Sequence, residues 1–325
     1  MKVTVIGAGS MGTAMAHMAA KNGNDVVIWN WHGDLDPLDQ IKQSRENTKY
    51  MPGFAVHQGV TPEKDLQAAL KDSQIVLFVV PSSVIAATMQ QAQPFVSANA
   101  ILVDLSKGVE PQTHELIPHI MEKLFPQNAH VAMSGPAVAI DIMKGYFTAM
   151  DLASNDAGAV QVVKEALSGK SLSFQINDDI IGTEFGGAFK NVYAIALGVC
   201  DGLGYGLNTK AALLTHAMQE MGMLIETMGG RRETVFGLSG LGDLIGTALS
   251  DHSRNRRFGQ YIGEGMTLEE AAEKVGQVVE GVNATKALMA FAQDHGVSVP
   301  LARIVQSILD GTDPTHALQK YLQSE

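Results

Sequence analysis

Short unbroken apolar runs dominate the first half of the chain, and helical spacing dominates the second. Residues 2–6 (KVTVI) form a β-branched run ending at a glycine cluster. Helical spacing follows from about Met11 to Asn22, with Gly23 as the stop, and residues 25–29 (DVVIW) read as a second strand. Residues 65–72 are predicted helical. The runs 74–80 (QIVLFVV), 100–105 (AILVDL) and 129–133 (AHVAM) lack polar alternation, as strands of a parallel sheet buried on both faces do. They end at Pro81-Ser82, Ser106-Lys107-Gly108 and Ser134-Gly135-Pro136. Strand and helix alternate to about residue 178, which predicts an α/β fold with an N-terminal Rossmann-type doubly wound parallel sheet.

From about Thr183 no strand pattern recurs. Residues 183–200, 209–228, 267–275, 283–295 and 300–309 carry helical periodicity. An all-α C-terminal domain is therefore expected, with the boundary in the polar stretch Asn177–Ile181. Residues 1–180 would be a dinucleotide-binding domain and 181–325 a helical substrate and catalytic domain.

Gly7-Ala8-Gly9-Ser10-Met11-Gly12 is a GxGxxG between a strand and a helix, the setting that makes it a dinucleotide site. Gly7 permits the tight turn, Gly9 the approach of a pyrophosphate, and Gly12 close packing of helix on strand. Ser10 and Met11 open the helix, where free amides meet phosphate. The acid that usually binds the ribose, about 20 residues on, is absent from the end of the second strand. Asn30 and His32 stand there, with Asp34 just beyond. Neither repels a 2′-phosphate as a carboxylate would, so NADP and NAD both remain open, with a slight tilt to NADP. Pro81 and Lys107 fall at the carboxyl edge of the sheet, where ligands bind in open α/β folds. Lys107 reads either as a phosphate contact there or as a solvated loop lysine.

In the helical half, Lys190 sits among almost wholly apolar or small neighbours, apart from Asn191. It either snorkels to solvent or is desolvated at a site, where an ammonium can protonate a ketone oxygen. Asp243, flanked by apolar residues in a second glycine-rich element (237–245), needs a cation, either Lys190 or Lys107; otherwise it caps the following helix. Ser253-Arg254-Asn255-Arg256-Arg257 is a basic patch suited to phosphate oxygens, with Asn255 and Thr247 as neutral donors.

The whole chain carries a formal charge of −11, which disfavours general binding to nucleic acid or to anionic lipid. A 46% hydrophobic and 18% charged composition suits a folded core rather than disorder. Cys200 is the only cysteine, so no intrachain disulfide can form; it is read as a small buried apolar residue of a protein in the reducing cytoplasm. The N-terminus lacks the form of a signal peptide, no run is long enough to span a membrane, and nothing calls for a metal.

Together the segments GAGSMG (7–12), ENTKYMPG (46–53), VVPS (79–82), DLSKGVE (104–110), SGPAVA (134–139), GGAFKNVYAIALGVCDGLGYGLNTKAALLT (186–215), GLSGLGDLIGT (237–247), SRNRRFG (253–259) and VVEG (278–281) resemble the NAD(P)-dependent glycerol-3-phosphate dehydrogenases, in the family's order and from end to end. The resemblance implies hydride transfer between NAD(P)H and dihydroxyacetone phosphate, giving sn-glycerol 3-phosphate for glycerophospholipid synthesis. It implies Lys190 as proton donor and acceptor, with Lys107 and Asp243 completing the catalytic cluster and Thr247 assisting. The substrate would meet Lys107, Gly135, Lys190, Asp243, Thr247, Ser253, Arg254 and Asn255. The cofactor would meet the glycine turn, Asn30, His32, Pro81, Lys107, Ala139, Arg254 and Glu280. Ala137-Val138 replaces the family's usual serine-phenylalanine, Asp141 its glutamate, and His216 an arginine; a further arginine usual after Pro81-Ser82 is missing.

Two other readings remain. A related 3-hydroxyacid dehydrogenase would share both domains and the lysine, but its usual asparagine one turn later is Ala194 here. A non-catalytic NAD(P)-binding regulator would have no need of Lys107, Lys190 and Asp243 together. A helix rich in methionine (Met218, Met221, Met223, Met228) reads equally as core or as the face of a homodimer.

Overall fold

The computed structural model describes residues 1–110, 113, 115–251, 253–276 and 278–324. They divide into two compact units, the first of Met1–Glu110 and Glu115–Ile180, the second continuing from Ile181.

The first unit runs β1 (Lys2–Ile6), α1 (Ser10–Lys21), β2 (Asp25–Trp29), α2 (Asp36–Ser44), β3 (Glu46–Asn47), β4 (Met51–Ala55), β5 (Val60–Glu63), α3 (Leu66–Leu70), β6 (Ile75–Phe78), α4 (Ser82–Ala92), β7 (Ile101–Asp104), α5 (Ile117–Leu124), β8 (His130–Ser134), α6 (Ala139–Lys144), β9 (Thr148–Ala153), α7 (Ala157–Leu167) and β10 (Leu172–Asn177). Its main sheet has the order β10-β9-β8-β7-β6-β1-β2-β5. The apolar runs alternate between two cores. Val3, Val5, Val26, Ile28, Ile75 and Leu77 pack with α1, α2, α6 and α7. Ile6, Val27, Trp29, Val76, Phe78 and Leu102 pack with α3, α4 and α5. Burial on both faces is why these strands show no polar alternation.

The sheet departs from the all-parallel expectation at one place. β8 pairs with β9 antiparallel, Met133 facing Leu152, while the other neighbours in the sheet run parallel. The connection between them holds only the six-residue α6, which Gly145 ends in the left-handed region at φ +76°. A parallel return needs a longer crossover, usually built on a full helix. Outside the main sheet, β3 and β4 form a small antiparallel hairpin.

The second unit is helical: α8 (Ile180–Gly202), α9 (Leu207–Thr227), α10 (Asp243–Ala248), α11 (Arg254–Gly263), α12 (Leu268–Val275), α13 (Glu280–Asp294), α14 (Pro300–Leu309) and α15 (Pro314–Ser324). α8 is its core, buried without a break from Gly182 to Cys200. α11 lies against α8 backbone to backbone. A Cβ on Gly198 would stand 2.0 Å from the Arg256 carbonyl oxygen, and one on Gly259 2.2 Å from that of Ile195. Small residues on both helices permit this approach, which larger ones would forbid. Met218 and Met221 are buried within this unit, as core residues. His216 shares a 2.7 Å hydrogen bond, through Nδ1, with the Tyr321 hydroxyl on α15.

Cys200 is buried, and burial, assisted by the charge of Asp201, pushes its thiol up to about 11. It stays protonated at neutral pH and lacks the nucleophilic form. Incubation of the native chain with iodoacetamide at pH 8, read by mass spectrometry, is expected to leave Cys200 unmodified until denaturant is added; rapid native labelling would contradict its burial.

Candidate functional site

In the first unit the glycine turn follows β1. Gly7 takes φ +114°, and a Cβ there would meet the Val79 carbonyl oxygen at 2.5 Å. A Cβ on Gly12 would stand 1.8 Å from the Gly7 carbonyl oxygen, so the helix can follow the strand this closely only with glycine. Gly9, by contrast, has open space on its Cβ side. It caps α1 with no side-chain hydrogen bond, which leaves the first-turn amides for an anionic ligand. The open side of Gly9, facing uncapped amides, fits a dinucleotide pyrophosphate.

Beside the turn opens a cavity of about 420 Å³, lined among others by Gly7, Gly9, Asn30, His32 and Pro81. The Asn30 side chain serves the turn: its Oδ1 accepts from the Ala8 amide at 3.1 Å, and its Nδ2 donates to the Asp34 carbonyl at 2.6 Å. His32 is exposed at the rim.

Three residues that sequence reasoning left without a role, Asn47, Lys49 and Tyr50, brace the turn, and Tyr50 lines the cavity. Asn47, fully buried, donates through Nδ2 to the Ala8 carbonyl at 2.9 Å and to Thr13 Oγ1 at 2.8 Å. Its Oδ1 accepts from the Tyr50 amide at 3.2 Å. Two asparagines thus grip the one Ala8 residue, Asn30 at its amide and Asn47 at its carbonyl. Ser10 Oγ donates to the Tyr50 carbonyl at 2.8 Å. The Tyr50 hydroxyl and the Lys49 ammonium, each at 2.7 Å, both donate to the Asp34 carboxylate. Burial pushes the Asp34 carboxyl upward, but the hydrogen bonds from Lys49 and Tyr50 outweigh it and hold the group below its ordinary value. The Tyr50 phenol is raised, first by its bond to Asp34 and then by burial. The carboxylate therefore stays charged and the phenol protonated at neutral pH, and the latch persists there. The polar ENTKY run, which holds β3 and leads into β4, was the only signal in the sequence, and it does not say what it reaches.

At the carboxyl edge of the same unit, Lys107 Nζ donates to the Gly135 carbonyl at 3.0 Å, joining two of the expected residues. Gly135 takes φ +146° against the Met150 backbone. Ala139 is the first residue of α6, and Lys107 and Ala139 lie outside the lining of the cavity. Val138 is exposed.

In the second unit, Lys190 is 6% exposed and Asp243 2%. The Lys190 ammonium donates to Asp243 Oδ1 and, at 2.7 Å, to Thr247 Oγ1. Local sequence explains the meeting. Gly186 lies one turn before Lys190 on α8, and a Cβ there would meet the Ser239 carbonyl oxygen at 2.6 Å. The glycine-rich turn 238–242 can therefore lie against α8, and Asp243, next in the chain, comes against Lys190. Asp243 makes no cap with its side chain; it is the first residue of α10, and Gly242 holds the cap position. The ion pair with Lys190, one of the alternatives read from the sequence, is present. A buried charge pair of this kind is costly to split, because the remaining charge has no water.

The basic patch is split between partners. Arg256 pairs with Asp201 at 2.8 Å and Asp251 at 3.0 Å, and Arg257 reaches the Tyr261 hydroxyl at 3.4 Å. Of the three arginines, Arg256 is committed to carboxylates, while Arg254 and Arg257 stand one turn apart on α11. Arg254 has no carboxylate partner among the described residues, and its guanidinium donates to the Val278 carbonyl at 3.2 Å. Buried Asn255 accepts through Oδ1 from the Gly281 amide at 2.9 Å. Both side chains thus bind the start of α13, where Glu280 is the first residue. Ser253 caps α11, accepting through Oγ from the Arg256 amide at 3.2 Å.

A doubly wound sheet with an uncapped glycine turn, followed by a helical unit with a buried lysine–carboxylate pair, defines the class of two-unit pyridine-nucleotide dehydrogenases. Family comparison narrows the class. The family model described as NAD-dependent glycerol-3-phosphate dehydrogenase N-terminus matches residues 2–160, and its C-terminus counterpart matches residues 179–319. The glycerol-3-phosphate dehydrogenase [NAD(P)+] of Clostridium perfringens is 38% identical over 325 residues, covering 100% of this chain and 98% of that one. The Bacillus subtilis protein of the same name is 38% identical over 311 residues, covering 95% and 90%. The crystal structure of glycerol-3-phosphate dehydrogenase from Coxiella burnetii superposes with a TM-score of 0.93 at 35% identity, covering 99% and 98%. The chain belongs to the NAD-dependent glycerol-3-phosphate dehydrogenase family.

Proposed function

We propose that the chain reversibly transfers a hydride between NAD(P)H and C2 of dihydroxyacetone phosphate, giving sn-glycerol 3-phosphate as a phospholipid precursor. The observation that carries this reading is the buried Lys190 ammonium held by Asp243 and Thr247 within the family's own motifs. When bound, the nicotinamide cofactor supplies the hydride. Lys190 polarises the ketone and gives its proton to the C2 oxygen as the alkoxide forms; in the reverse direction it takes that proton back. Asp243 keeps the ammonium charged and aimed, and Thr247 fixes its second donor direction. Lys107 and Gly135, with Ser253, Arg254 and Asn255, would bind the phosphoryl end of the substrate.

Residues 1–180 act on this reading as the dinucleotide-binding domain and residues 181–325 as the substrate and catalytic domain. Gly7, Gly9, Gly12 and the amides of Ser10 and Met11 would hold the pyrophosphate. Asn30, His32, Pro81, Lys107, Ala139, Arg254 and Glu280 would complete the cofactor contacts. No helix among the described residues is long and apolar enough to cross a membrane. The reading extends to a cytoplasmic homodimer, which light scattering tests; on the methionine-rich helix Met218 and Met221 serve the core, while Met223 and Met228 are half-buried.

Initial rates with dihydroxyacetone phosphate, run in parallel with NADH and NADPH and against a panel of small 3-oxo acids, test the assignment. Turnover of the phosphorylated ketone alone is expected. Turnover of a 3-oxo acid instead would favour the 3-hydroxyacid reading. Arg254→Ala is expected to raise the Michaelis constant for the phosphorylated ligand by about tenfold to a hundredfold, the value of a lost charge-assisted hydrogen bond. Unchanged constants for both substrate and cofactor would remove Arg254 from the phosphate site.

A further inference from the structure

α14 and α15 pack against each other, joined by a short loop, and leave a groove of about 400 Å³ between them. The groove shares no residue with the Lys190 cluster. Arg303 and Ser307 stand one turn apart on α14, and His316, Lys320 and Ser324 stand on successive turns of α15. The two stripes line the same groove, with Ser298 and Thr312 among its other hydroxyls. The floor is fixed: Ala317 and Tyr321 are buried, and the Tyr321 hydroxyl is tied to His216.

The charge balance here runs against that of the chain. Among the described residues no acid lines the groove, although the chain holds 34 acidic residues against 23 lysines and arginines. Three acids among the described residues near these helices already accept hydrogen bonds. Asp310 accepts from Gln306 Nε2 at 2.8 Å, and Asp313 from the His316 amide at 2.8 Å. Glu220 accepts from the Leu301 and Ala302 amides at the start of α14. Among the described residues, neither the Arg303 guanidinium nor the Lys320 ammonium has a carboxylate within 4.0 Å. The Arg303 and Lys320 cations around one concavity repel one another, and an anion between them relieves that repulsion. Arginine offers a planar fork to phosphate oxygens, lysine a point charge, and serine and threonine hydroxyls fill the remaining directions. The volume holds a phosphoryl group and a small organic body.

We propose that the α14–α15 groove is a binding site for a small phosphate monoester, separate from the catalytic cluster. Inorganic phosphate is the probe, titrated into the full chain at low ionic strength. The imidazole NMR signals of His316, assigned with His316→Gln, are the readout. A saturable shift is expected, with a dissociation constant of about 1 mM or below. Arg303→Ala with Lys320→Ala should weaken it at least about tenfold, the loss of roughly one charge-assisted contact. Arg254→Ala, outside the groove, should leave it unchanged, which separates this site from the phosphate contact proposed for the substrate. A shift reproduced by sodium chloride at equal ionic strength, a titration without saturation, or an unaltered titration in the double variant would each overturn the proposal. Circular dichroism of the double variant excludes unfolding as the cause of a lost response.

Discussion

Lys190→Ala is expected to lower kcat by about 10³- to 10⁴-fold, the range of a lost proton donor and its electrostatic contribution, with cofactor affinity nearly unchanged. The wild-type ammonium is buried against Asp243 and Thr247, in a place where water cannot readily replace it. Alanine also leaves Asp243 buried without its cation, which destabilises the second unit by about 3–5 kcal/mol. Lys190→Arg separates the two effects. It retains the positive charge for Asp243, yet a guanidinium does not release a proton near neutral pH. The arginine variant should therefore keep the fold by circular dichroism and still lose at least about a hundredfold in kcat. Steady-state rates with NADPH and dihydroxyacetone phosphate, alongside NADPH binding by fluorescence, are the measurements. A residual rate in Lys190→Ala within about tenfold of the parent would reject the proton-transfer role.

Asn47→Ala should act on the cofactor rather than on the chemical step. Asn47 ties the Ala8 carbonyl, the Thr13 hydroxyl and the Tyr50 amide to one buried side chain. Removing it leaves a buried carbonyl without its donor, at about 1–3 kcal/mol, and frees the turn to move. The dissociation constant for NADPH is expected to rise about tenfold to a hundredfold, the same energy expressed as binding. At saturating cofactor, kcat should stay within about threefold, because Asn47 touches none of the groups that move a proton. Asn47→Asp should do no better than alanine. It keeps an acceptor for the Tyr50 amide but sets a carboxylate oxygen against the Ala8 carbonyl, where a donor is required. Equal losses in kcat and in cofactor affinity would mean that Asn47 supports the fold at large rather than the turn.

Legibility in the sequence followed the range of each interaction. The glycine turn was plain, because its spacing after a strand is local and Gly12 answers to the Gly7 carbonyl within the turn, although Gly7 itself meets Val79 from 72 residues away and Gly9 has open space beside it. The buried strands were plain for the same reason, their two-faced apolar character being written in consecutive positions. The lysine was marked as unusual by its apolar surroundings, but its partner was left as a choice. The basic run 253–257 did not say which arginine would be held by a carboxylate, and Arg256 turned to Asp201. Asn47 entered only as part of the ENTKYMPG segment of the resemblance, with no role of its own, because a polar residue there shows no local sign of burial.

What the chain determined by itself is therefore the class of fold, the dinucleotide turn, and an isolated lysine and aspartate set in apolar segments; period, glycine spacing and local polarity carry all of these. Only the tertiary structure decided that Asn47 grips Ala8 from 39 residues away, that Gly186 admits the turn delivering Asp243 to Lys190 across 53 residues, and that β9 runs against β8. Those outcomes rest on which distant backbones can approach closely enough to bond. No local pattern encodes that, because it depends on the volume of every side chain packed between them.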